Sequence, residues 1–113
     1  MRIVERITVD ELCAMSEKMY DPLVKCVVDV TRRLLVADAG LHVDEELLLL
    51  EQGSKQADLW GINLWPDSFG TEEFVEFDSM INIRPAQNNR SRGVEDANIR
   101  QAICEIIAEK VDG

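Results

Sequence analysis

The stretch from Arg84 to Arg92 holds three arginines, Gln87, Asn88 and Asn89, and no acid. A guanidinium presents a fixed planar fork of donors suited to carboxylates and phosphates. With Asn82 just upstream, the candidate ligand-binding residues are Asn82, Arg84, Gln87, Asn88, Asn89, Arg90 and Arg92. The ligand they suit is an anionic small molecule or an anionic protein partner. The competing use of these arginines is internal. In a chain with 22 acids they can pair with Glu76, Asp78 or Asp96 instead. Glu95 and Asp96, at the start of a helix, also compete with an incoming anion. The spacing matches no Walker loop and no dinucleotide-binding fingerprint.

Two further groups could do chemistry. His42, beside Asp44, Glu45 and Glu46, could act as a general base or a metal ligand. It is the single histidine, and no cysteine pair accompanies it, so a structural zinc site is not expected. A hard cation could sit among Asp44, Glu45, Glu76 and Asp78, but no EF-hand loop is present. Glu76 and Asp78, two apart on one strand face, could divide acid and base roles, although strands often carry such pairs only for solvation. The pattern calls for no metal and no cofactor. Asn63, Trp65, Phe69 and Phe74 form a candidate interface, which fits a homodimer because two-fold assemblies are the commonest oligomers.

These residues belong to a chain of 113 residues with net charge −10, the length of one domain spanning 1–113. So negative a surface repels phosphate backbones and anionic lipid, which argues against general nucleic-acid or membrane binding. Cys13, Cys26 and Cys104 are odd in number and widely spaced. They read as small buried hydrophobes in a reducing, cytoplasmic setting. No apolar run approaches the length needed to span a bilayer, and the N-terminus has no signal-peptide core.

The elements that must position the candidates follow from pattern. Residues 2–7 suit a short strand. Thr8 and Glu11 form a capping box, with Ile7 and Leu12 at staple positions, and the helix they open runs towards Asp21-Pro22. Residues 23–30 are nearly continuous and β-branched, a central strand with Val24, Cys26, Val28 and Val30 on one face. Thr31 to Arg33 turns the chain into a strand at Leu34–Ala37. Residues 44–53 fit a helix, capped by Asp44, better than a strand. Residues 59–65 alternate, with Trp60, Ile62 and Leu64 on one side. Residues 75–84 alternate most clearly of all, with Val75, Phe77, Ile81 and Ile83 facing one way. Asp96 or Glu95 opens a last helix striped by Ile99, Ile103, Ile106, Ile107 and Val111. The expected fold is α+β: a mainly antiparallel sheet of four or five strands, with two or three helices packed on one face.

The strings G-S-K-Q-A-D-L-W-G-I-N-L-W-P (53–66) and F-D-S-M-I-N-I-R-P-A-Q-N-N-R-S-R-G-V-E-D (77–96) resemble a family of small bacterial proteins of unknown function. L-H-V-D-E-E (41–46) fits it too, and the resemblance covers nearly the whole chain. Trp65 stands where that family more often has tyrosine. The resemblance implies a cytoplasmic bacterial protein and brings no catalytic residues with it. Function therefore rests on the residues themselves. They rank a binding module with an Arg/Asn-rich loop first, a small enzyme acting on a phosphate- or carboxylate-bearing substrate second, and a structural homodimer third.

Overall fold

Thr8 caps the first helix of the computed structural model, which describes residues 1–113. Its Oγ1 accepts from the Glu11 amide at 3.1 Å, and the Glu11 carboxylate accepts from the Thr8 amide at 3.2 Å. This is the reciprocal box read from the sequence. Helix α1 (Val9–Ser16) stops at Ser16, short of the expected Asp21-Pro22. The Ser16 hydroxyl donates to the Cys13 carbonyl at 2.7 Å, and the Lys18 and Met19 amides bond three residues back. The last turn tightens and the helix closes there. Thr8→Ala should lower the unfolding free energy by about 1 kcal/mol through loss of the cap, read as a fall in the urea midpoint at constant m.

Five strands form one sheet in the order β1-β4-β3-β5-β6, every neighbour antiparallel. They are β1 (Arg2–Ile3), β3 (Val24–Asp29), β4 (Leu34–Ala39), β5 (Leu59–Leu64) and β6 (Val75–Glu76). A second, parallel pair joins β2 (Ile7–Thr8) to β7 (Val111–Asp112). The β3–β4 hairpin is set by Asp29. Its buried carboxylate accepts from the Thr31 and Arg32 amides, both at 2.9 Å, and from the Ser54 hydroxyl at 2.6 Å. That local pairing turns the backbone before Arg33, which sits at φ 56°.

The strand alternation of β3 sorts the core. Val24, Cys26 and Val28 share one face, as their spacing requires, and pack with Leu12 and Met15 of α1. Helix α3 (Ala97–Lys110) adds Ile103, Ile106 and Ile107 to the same cluster. Val27 points the other way, to Val36, Leu59 and Leu49 of helix α2 (His42–Glu51). Each such fully buried aliphatic side chain contributes about 1.5–3 kcal/mol relative to exposure. The architecture is α+β, but the helices do not all lie on one face as expected: α1 and α3 share one face, and α2 covers the other. No helix is long and apolar enough to cross a membrane.

Other readings change too. The strand at 2–7 is broken between Ile3 and Ile7, because Val4 turns into the core and Ile7 joins the second sheet. The helix at 44–53 is a helix but begins at His42, since Gly40 breaks β4 and Leu41 is already extended. The long strand at 75–84 ends at Glu76. Ser79 accepts from the Ile81 amide and starts a 3-10 turn over Met80–Asn82, so Phe77 and Ile81 join different clusters. A serine hydroxyl offers the backbone this alternative to a ladder. Only Cys26 among the cysteines is buried; Cys13 is half-buried and Cys104 exposed.

Candidate functional site

The departure from strand at Ser79 builds the polar segment. The chain from Asp78 to Asp96 folds back on itself, and two asparagines hold it there. The Asn82 carboxamide replaces a strand partner for Gly61 of β5. It accepts from the Gly61 amide at 2.8 Å and donates to the Gly61 carbonyl at 2.9 Å, and also to the Arg92 carbonyl at 2.9 Å. The approach is so close that a Cβ on Gly61 would lie 2.6 Å from both Cβ and Oγ of Ser79. Asn89 donates to the carbonyls of Asn82 and Gly93, both at 2.8 Å, and accepts from the Glu95 amide at 2.9 Å. Asn88 takes the left-handed conformation at φ 61° that closes the small loop, which asparagine tolerates better than most residues. Gln87 donates to the Ala57 carbonyl at 3.1 Å.

The three arginines part company. Arg84 turns inward. It donates to the Gln56 carbonyl and, at 2.6 Å, to the Leu59 carbonyl, with its guanidinium 4.0 Å from the centre of the Trp60 ring. Burial pulls its pKa down, opposed by the nearby Glu46 carboxylate. Arg92 pairs with Asp78 at 2.6 Å, one of the internal pairings foreseen, with both side chains about half exposed. The Arg90 side chain makes no hydrogen bond or ion pair. Its amide and that of Ser91 instead hold the Glu95 carboxylate at 2.6 and 3.1 Å, which keeps that acid below its ordinary pKa. Glu95 is thus a built-in anion on the donors that an outside anion would use.

What the fold does bring together is Arg92 and His42. The start of α2 and the 79–92 segment enclose a cleft of about 190 Å3 whose polar lining is Lys25, His42, Ser79 and Arg92. His42 is buried, with Nε2 2.7 Å from the Ile62 carbonyl oxygen. A carbonyl only accepts, so Nε2 carries the hydrogen and Nδ1 its lone pair. Burial lowers the imidazole pKa, and the charges of Lys25 and Arg92 push the same way, against the Ile62 carbonyl and Asp78. The ring is therefore neutral at pH 7, and its Nδ1 makes no hydrogen bond within the chain.

Below the cleft runs a polar row. Lys25 stands opposite Asn63 across β3 and β5, and Asn63 stands opposite Glu76 across β5 and β6. Asn63 donates to Glu76 at 2.8 Å, while its own Oδ1 is sealed without a partner. Glu45 of α2 is fully buried. The Ala39 amide lies near enough to favour its anion, but neither carboxyl oxygen has a formed hydrogen bond. Burial raises its pKa to about 9. No three His, Cys, Asp or Glu side chains converge to hold a metal ion.

Of the candidate interface residues, Asn63 and Phe74 are buried, Trp65 is half-buried and Phe69 is exposed. Lys25 and Ser79 line the cleft with His42 and Arg92 but were not among the candidates read from the sequence. Lys25 had left a signal, a single cation inside an apolar strand, on the face opposite Cys26. Ser79 left none beyond its place in a strand-like alternation.

One family model matches residues 1–110, described as protein of unknown function (DUF5674). The chain belongs to the DUF5674 family. No curated protein and no solved structure matches it. Membership in DUF5674 accounts for the similarity over nearly the whole chain and assigns no activity to the cleft.

Proposed function

We propose that the domain binds a small molecule bearing a carboxylate or phosphate in the cleft between the start of α2 and the 79–92 segment. One observation carries this reading. In a chain of net charge −10, Lys25, His42 and Arg92 come from three separate parts of the fold to line one cleft. Lys25 and Arg92 supply the charge, and the bare Nδ1 of His42 accepts a hydrogen bond from a donor group beside the anion. Arg92 must share itself with Asp78 or leave it. An exposed pair of that kind is worth about 0–1 kcal/mol, so the exchange is cheap. Arg90 and Arg84 lie outside the binding set, one without contacts and the other committed to the fold.

An enzymatic reading is favoured by the same neutral histidine, since a free imidazole nitrogen is a competent base. It ranks lower because Nε2 is held by a carbonyl, where a carboxylate would have stabilised the imidazolium.

Thermal unfolding with phosphate, citrate and nucleotides tests the proposal. One of them, at about a hundred times its Kd, should stabilise the protein by about 2.7 kcal/mol. Arg92→Met and Lys25→Met should lose the effect, and Arg90→Met should keep it. No stabilisation by any anion, or loss in Arg90→Met alone, would overturn the assignment.

A further inference from the structure

A larger hollow lies between α3 and the segment after β5. Its volume is about 480 Å3, against about 190 Å3 for the cleft at His42, and the two share no lining residue. Phe69, Phe74, Val75 and Phe77 form one wall, and Cys104 and Ala108 of α3 stand on the other. Phe69 and Phe74 meet edge to face with centroids 5.1 Å apart, yet Phe69 remains 42% exposed. An apolar concavity of this size on a charged protein marks an interaction site.

The charge around it selects the occupant. Glu72 is the one charged residue in the lining. Residues 56–83 contain six acids, Asp58, Asp67, Glu72, Glu73, Glu76 and Asp78, and no lysine or arginine. Asp67, Glu72 and Glu73, like Glu105 on α3 beside Cys104, take part in none of the five ion pairs of the fold. The hollow is therefore greasy inside, with Glu72 in its lining and an excess of unpaired acids in the segment that walls it.

We propose that this hollow docks a peptide segment of a partner protein in which large apolar side chains are flanked by lysine or arginine. Apolar side chains fill the concavity and supply most of the binding energy, as buried anchors do at interfaces. The basic flanks meet the unpaired acids, which speeds encounter and selects against other partners. A second copy of this chain brings the same acidic rim and is repelled. A fatty acid would set its carboxylate against Glu72.

Cys104 reports occupancy, because its thiol is exposed within the hollow while Cys26 is buried and Cys13 lies on α1. The probes are a synthetic peptide of leucine, phenylalanine and lysine and a control with serine at every apolar position. Iodoacetamide labelling is followed cysteine by cysteine by mass spectrometry. At about nine times its Kd the first peptide should slow Cys104 labelling about tenfold, the factor 1 + [L]/Kd, and leave Cys13 unchanged. The serine control should not protect. Ala108→Lys, at an exposed position, should abolish protection without unfolding the domain. Equal protection by both peptides, none by either, or undiminished protection in Ala108→Lys would overturn the proposal. So would protection by palmitate alone, or a dimer in sedimentation with Cys104 already shielded.

Discussion

Glu45→Met should stabilise the protein, and the gain should widen as the pH rises. Glu45 is fully buried with both carboxyl oxygens unpartnered, and its folded pKa is about 9. Burial dominates; the nearby Ala39 amide, Lys25 and the N-terminal amine favour the anion without overcoming it, and Asp38 opposes it. A group whose pKa is raised on folding holds a proton that the unfolded chain gives up. Its contribution is therefore intact below the unfolded value of 4.5 and is lost as the pH climbs to about 9. Inside that window the stability of the native chain should fall by up to about 1.4 kcal/mol per pH unit. Methionine is flexible and unbranched, only about one methylene larger than glutamate, and has no proton to lose. At pH 7 the variant should be more stable by about 3 kcal/mol, and at pH 5 by much less. Urea unfolding of both proteins across that range checks it. Two curves that run parallel with pH would show that Glu45 is not sealed in the native state.

Asn82→Ala should be among the most damaging single substitutions. It strips the Gly61 amide and carbonyl of the partners that replace a strand neighbour, and it frees the Arg92 carbonyl from one of its two donors. A buried group left unpaired costs about 1–3 kcal/mol, and two are orphaned outright, so the expected loss is about 4 kcal/mol. Asn82→Asp keeps the acceptor but not the donor and should fare no better than alanine. Equilibrium unfolding measures both. A loss below about 1 kcal/mol, the value of an ordinary exposed hydrogen bond, would mean that water takes over the role of the carboxamide.

The contrast between Glu45 and Asn82 shows what the amino-acid pattern could and could not disclose. Capping at Thr8 and Asp96, the central run at Val24–Asp29 and the α3 stripe from Ile99 to Ile107 are local or periodic, and each is where its pattern places it; Val111, expected on the same helix, falls in β7 instead. The run after Glu76 is misread because alternation continues through Ile83 while the backbone does not. A hydroxyl at Ser79 and a carboxamide at Asn82 take over the hydrogen bonds, and side-chain pairing of that kind has no period. The same holds for the arginines. Their clustering was visible, but one faces carbonyls under Trp60, one an aspartate and one solvent, and only tertiary contacts separate them. That His42 would share a cleft with Arg92, fifty residues on, is likewise a property of the sheet and its covering helix. Glu45 reads as a solvated first-turn acid on a helix, until β3 and β4 close over it.

Nitrogen-15 spectra of the His42 ring test the anion site most directly, because the chain has a single histidine. Without ligand at pH 7, Nε2 should appear protonated and Nδ1 bare. On addition of the anion that stabilises the protein, the Nδ1 resonance should move and the imidazole pKa should rise, while the Arg90 side-chain signal stays where it was. A saturating anion that leaves the His42 ring untouched and shifts Arg90 instead would place binding elsewhere and remove the cleft from the account.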